Sequence, residues 1–131
     1  MEILQPGQIV QFMKKFDFRG GRLEALRLRH RAKMSSGRLN LLLRSSAGAK
    51  TRLTMDFEDV AEYRFQRRPY VARTSLVEVR LGYFDGLFFF NLDAFAEDGP
   101  PKVIDFRNSE AYIAGTRVSW ETKTIGSPPP G

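Results

Sequence analysis

The chain has 131 residues, with 21 Lys and Arg against 15 Asp and Glu for a net charge of +6, one histidine and no cysteine. The missing thiols exclude a disulfide framework, a thiolate zinc site and a cysteine nucleophile, and one histidine cannot complete a zinc site of the usual ligand type within one chain. No stretch approaches the roughly 20 apolar residues of a membrane helix, and the start, Met1 to Gln8, leads into no apolar run able to act as a signal segment, so a cytoplasmic protein that does not engage a membrane is expected.

The length suits one domain, set at 1–126, with Ser127–Gly131 as a flexible Pro-rich tail. Charge is uneven: residues 1–50 hold 11 bases against three acids, for +8, and residues 51–131 hold 10 bases against 12 acids, for −2. Either the first half meets an anionic partner or the two halves neutralise each other within the fold.

Taken in chain order, the segments read mainly as strands. Ile9–Phe18 is read as a strand followed by a turn at Gly20-Gly21, although its apolar parity switches between Met13 and Phe16, which calls for a bulge or a longer loop. Arg22–Lys33 is the most informative stretch. In an extended chain Arg27, Arg29, Arg31 and Lys33 point one way, and Leu26, Leu28, His30 and Ala32 point the other, giving a strand with a basic outer face.

Arg38–Arg44 and Arg52–Phe57 form a hairpin in which Leu39, Leu41 and Leu43 share a face with Leu53, Met55 and Phe57, provided that the loop containing Gly48 has three or five residues. Residues 56–66 fit a helical stripe nearly as well as a strand. The alternation of Ala61, Tyr63 and Phe65 with Glu62, Arg64 and Gln66 favours the strand. Arg67–Tyr70 is an interruption at Pro69.

The clearest signal is Leu76–Phe84, Asp85-Gly86, Leu87–Asp93. Asp-Gly favours a type I′ turn, so Phe84 should oppose Leu87, with Tyr83–Phe88, Gly82–Phe89, Leu81–Phe90, Arg80–Asn91, Val79–Leu92 and Glu78–Asp93 following outward. Residues 94–101 read as a loop and Ile104–Phe106 as a short strand. Ala111–Ala114 and Arg117–Glu121 read as a hairpin around Gly115-Thr116, setting Ile113 against Val118 and Ala111 against Trp120. The fold expected is all-β: an antiparallel sandwich or flattened barrel of about eight or nine strands built from sequential hairpins, with at most one short helix.

Few groups suggest chemistry. Arg27, Arg29, Arg31, Lys33 and Arg38, with Lys14 or Lys15 across the first hairpin, could track phosphates, yet the same residues suit a solvated strand that resists aggregation, and no aromatic is interleaved for base stacking. Asp56, Glu58, Asp59 and Glu62 lack the spacing of a calcium loop and read as a turn neutralised by arginines, so no metal is expected. Glu78 and Asp93 would be held ionised by Arg80. His30 reads as a hydrogen-bonded core or rim imidazole. No phosphate loop, nucleophile elbow or dinucleotide fingerprint is present, and neither catalysis nor a cofactor is expected. Phe84, Phe88, Phe89 and Phe90 need cover on both faces of their strand, from the chain itself or from an interface. The function expected is a non-catalytic interaction module binding a protein partner or itself as a homodimer. Nucleic-acid or polyanion binding through the basic strand is the alternative, and a barrel enclosing a small apolar ligand the third.

Overall fold

The computed structural model describes residues 1–31, 33–65, 76, 78–92, 102–107, 109 and 111–126. They form one antiparallel sheet of seven strands, β1 (Glu2–Ile3), β2 (Phe16–Arg31), β3 (Met34–Ser45), β4 (Lys50–Phe65), β5 (Arg80–Phe84), β6 (Leu87–Asn91) and β7 (Ala111–Gly126). The order is β2-β3-β4-β7-β6-β5, and β1 joins β7. The sheet curls into a half barrel. Its open side narrows where Leu76 bonds β2 through both backbone groups, receiving from Gly20 N at 3.1 Å and donating to Gly21 O at 2.8 Å.

The β5–β6 register follows its turn. Asp85 and Gly86 take φ of 52° and 80°, as a type I′ turn requires, and Phe84 opposes Leu87 through to Arg80 opposite Asn91. The β3–β4 hairpin also keeps its expected faces: Leu39 opposes Met55, Leu41 opposes Leu53, and residues 45–49 separate the last pair, Arg44 and Lys50. Residues 56–65 are strand.

Two expected turns are not turns. β2 runs through Gly20-Gly21 and β7 runs through Gly115-Thr116, each for 16 residues without reversing. This merges pairs of expected strands and gives seven among the described residues in place of eight or nine. Ile113 therefore opposes Tyr63 and Phe90, Val118 opposes Phe57, and Trp120 opposes Met55. Both glycine sites are close approaches. A Cβ on Gly21 would lie 2.8 Å from the Leu42 carbonyl oxygen, and one on Gly115 would lie 2.7 Å from that of Glu58. Glycine in a strand marks such a contact as readily as a turn.

Ile9–Lys14 is helix α1 rather than strand, entered from a 3-10 turn at Pro6–Gln8. Ile9, Phe12, Met13 and Phe16 are spaced i, i+3, i+4, i+7, so the parity switch is a helical period. Phe12 is buried, with its ring 5.5 Å from Phe16 and 5.2 Å from Trp120. Ile104–Phe106 lies within the helical turn α2 (Val103–Arg107), where Asp105 Oδ2 accepts from Lys102 N at 2.8 Å and satisfies a donor at the helix start. Three residues were too few to distinguish the two periods.

The main core fills the concave side with Leu39, Leu41, Leu53, Met55, Phe57, Phe90, Ile113 and Val118, all fully buried. A second, smaller core lies on the opposite face of β5–β6–β7, where Phe89, Phe106, Tyr112 and Ala114 are buried with Phe84, Leu87 and Val103 packed beside them. Residues 67–70, 94–101 and 127–131, together with Ala32, Gln66, Val77 and Asp93, lie outside the described residues.

Candidate anionic-partner surface on the outer face

Among the described residues strand β2 is an edge of the sheet, and its distal half carries the arginines. Register shifts between Asp17 and Arg22 and between Leu23 and Ala25 change which parity faces inward. Beyond the second shift Leu26 and Leu28 pack against the core, so Arg27, Arg29 and Arg31 face outward and are exposed.

The pairing then lays charges in rows across the convex face. One row runs Arg27, Arg38, Asp56, Ser119, and the next Arg29, Ser36, Glu58, Arg117. Arg38 forks onto Asp56 through Nε at 2.7 Å and Nη2 at 2.8 Å, and this carboxylate raises its pKa. Glu58 meets Arg117 from the other side at 3.9 Å. Both central carboxylates thus face a cation other than the β2 arginines. Among the described residues Arg27, Arg29, Arg31 and Lys33 have no ion-pair partner. Between the rows lies a recess of about 310 Å³ lined by Arg27, Arg29, Ser36, Arg38, Asp56 and Glu58. Three guanidinium groups against two carboxylates leave it cationic.

Of the five basic residues singled out from the sequence, Arg27, Arg29 and Arg31 remain available on β2, Lys33 lies in the turn between β2 and β3 rather than on the strand face, and Arg38 is engaged by Asp56. Lys14 and Lys15 do not join them. They lie at the end of α1, beside the start of β2, and Lys15 Nζ sits 5.0 Å from the Trp120 ring centroid. His30 is at the rim, its Nδ1 2.8 Å from Ser35 Oγ and its ring 6.3 Å from Tyr63.

The four phenylalanines lie against the chain's own residues. Phe88 and Phe90 are buried in the main core, Phe89 is buried in the second, and Phe84 packs there half-buried, 5.5 Å from Phe106. The sequence reading missed Arg107. Its side chain lies 5.6 Å from the Phe89 ring centroid and forks onto Glu62 at 2.8 and 3.0 Å. Helical phase from Val103 to Arg107 could have placed it on the same turn as Phe106.

Arg107 holds the Glu62 carboxyl below its ordinary range against the opposing effect of burial, and Tyr112 adds a bond of 3.2 Å. Burial, then Glu62 itself, raises the Tyr112 phenol. A carboxylate with a depressed folded pKa stabilises the fold above its unfolded pKa, and the contribution disappears as pH falls through the folded value. Glu62→Gln should therefore cost more stability near about pH 7 than near about pH 3, on either side of the ordinary carboxylate range. Urea midpoints for both proteins at both pH values check this; an equal deficit at the two would contradict it.

Among the described residues no group of three or more His, Cys, Asp and Glu is placed to hold a metal ion, and no helix is long and apolar enough to cross a membrane. Comparison with protein families, with curated proteins and with solved structures finds no match to this chain.

Proposed function

We propose that the chain is a non-catalytic interaction module that binds a protein partner through the outward face of β2. The observation that carries this reading is the contrast between Arg27, Arg29 and Arg31, exposed and without an ion-pair partner among the described residues, and Arg38, Arg52 and Arg107, each engaged by a carboxylate. An edge strand is also where a sheet can accept another chain.

The framework taken for the module is a flattened barrel, supported by the bonds from Leu76 to Gly20 and Gly21. Self-association through this edge is disfavoured, because a two-fold pairing of β2 strands would set arginines against arginines. Nucleic-acid binding is the second reading. Alternate strand residues lie roughly 6.6 Å apart, which suits a phosphate track, but the outward rows offer Ser, Asp and Glu beside the arginines and no aromatic platform. A ligand-enclosing barrel is weaker still, because side chains fill the concave core.

A photo-reactive residue in place of Arg29 tests the assignment in cell extract, with the same group at exposed Lys102 as control. The expected result is a discrete protein adduct specific to the Arg29 position, whose purified product rebinds the domain. An adduct removed by nuclease, an adduct with the domain itself, or none above the control would contradict it.

A further inference from the structure

We infer that the partner segment is an extended acidic peptide that adds to the sheet as a new strand along the distal edge of β2. The inference rests on the interaction reading above and supplies the chemistry of the partner.

Backbone geometry comes first. β3 pairs one side of β2 from Arg22 to Arg31. On the other side, the described residues place only Leu76, at Gly20 and Gly21. From Arg22 onward no described residue takes the outward-directed amides and carbonyls of β2. An extended chain can satisfy such groups by continuing the ladder, which gives main-chain affinity and leaves selectivity to the side chains on each face.

The two faces of β2 specify those side chains. On the convex face the new strand would lie beside Arg27, Arg29 and Arg31, and carboxylates at alternate positions would meet cations that have no ion-pair partner among the described residues. On the concave face it would lie beside Leu26 and Leu28, half-buried against the core, and apolar residues would extend that cover. Strand periodicity puts these two requirements on alternate residues, so the matching segment alternates Asp or Glu with Val, Ile or Leu. A second copy of β2 is a poor occupant because it brings arginine to the outward positions, and a polyphosphate chain supplies charge without donors for the ladder.

Fluorescence polarisation with a labelled peptide of alternating Glu and Val tests the proposal. The expected result is saturable binding, weakened at least about tenfold when the amides of alternate peptide residues are N-methylated and likewise in a block peptide of the same composition. The R27E/R29E/R31E variant should lose the peptide and gain one of alternating Lys and Val, a swap that also shows the variant is folded. Equal binding of the N-methylated peptide would overturn strand addition in favour of charge alone. Failure of the alternating peptide to bind, while the Arg29 adduct is a protein that rebinds, would overturn this inference and leave the interaction module standing.

Discussion

Phe90→Ala should lower the unfolding free energy by about 3–5 kcal/mol, the range for truncating a buried aromatic. Phe90 sits on β6 between Leu81 and Ile113, and its ring is fully buried 6.2 Å from Phe57 and 6.3 Å from Phe18. It therefore joins three parts of the half barrel: the β5–β6 hairpin, the central strands β4 and β7, and the start of β2. Collapse into the space it leaves is limited, because Leu39, Met55, Phe57 and Ile113 are held by sheet registers on both sides. Urea unfolding of the two proteins measures the loss. A deficit below about 1 kcal/mol would mean that the concave side is not a single packed core.

Gly115→Val should cost about 3 kcal/mol, the upper end of the range for overpacking. The obstacle is backbone. The new Cβ would approach the Glu58 carbonyl oxygen to 2.7 Å and the Phe57 Cβ to 3.3 Å, and neither can rotate away. Relief would require β4 and β7 to separate where β4 is already irregular, with Asp59 at φ 49° and a register shift between Val60 and Glu62. Thr116 fastens that bulge, donating to Asp59 Oδ2 at 3.1 Å. If Gly115 were instead a hairpin turn residue, valine there would meet solvent and its cost would come from turn dihedrals alone. Thermal unfolding together with hydrogen exchange along β4 and β7 separates the cases: the strand-through account predicts lost protection at both Phe57–Val60 and Tyr112–Val118, and unchanged protection at β4 would contradict it.

What could be read from residues alone divides along physical lines. Asp85-Gly86 specified its turn because positive φ at two successive positions leaves few alternatives, and the register followed from Phe84–Leu87 to Arg80–Asn91. Leu39, Leu41 and Leu43 with Leu53, Met55 and Phe57 were legible because a half-buried strand pair must alternate. Gly20-Gly21 and Gly115-Thr116 misled because glycine serves a reversal and a backbone contact equally well, and only the long-range packing of Leu42 or Glu58 decides between them. Ile9–Phe16 misled because its five apolar residues in eight positions partly fit strand parity, while Ile9, Phe12, Met13 and Phe16 share one helical face. The basic face of β2 was visible, but the absence of carboxylate partners for it among the described residues was not. That depends on Asp56 being taken by Arg38 and on Glu58 facing Arg117 from β7, pairings that join residues 18 and 59 positions apart.

Those pairings give the protein its usable asymmetry. Among the described residues, Asp56 and Glu58 at the centre of the convex face each meet a cation, and Arg27, Arg29 and Arg31 at the edge meet no carboxylate. Edge arginines ordinarily keep sheets from aggregating with their own kind, and the same charges select a partner of opposite sign. On the proposed reading, one surface would reject the identical copy and admit an acidic strand.

The most direct test of this selectivity is size-exclusion chromatography with light scattering on the purified protein, at low and high salt, with absorbance read at 260 and 280 nm. An edge reserved for an acidic protein partner predicts the mass of one chain and a protein-only absorbance ratio under both conditions. A dimer that the R27E/R29E/R31E variant fails to form, or nucleic acid carried at low salt and shed at high salt, would contradict it.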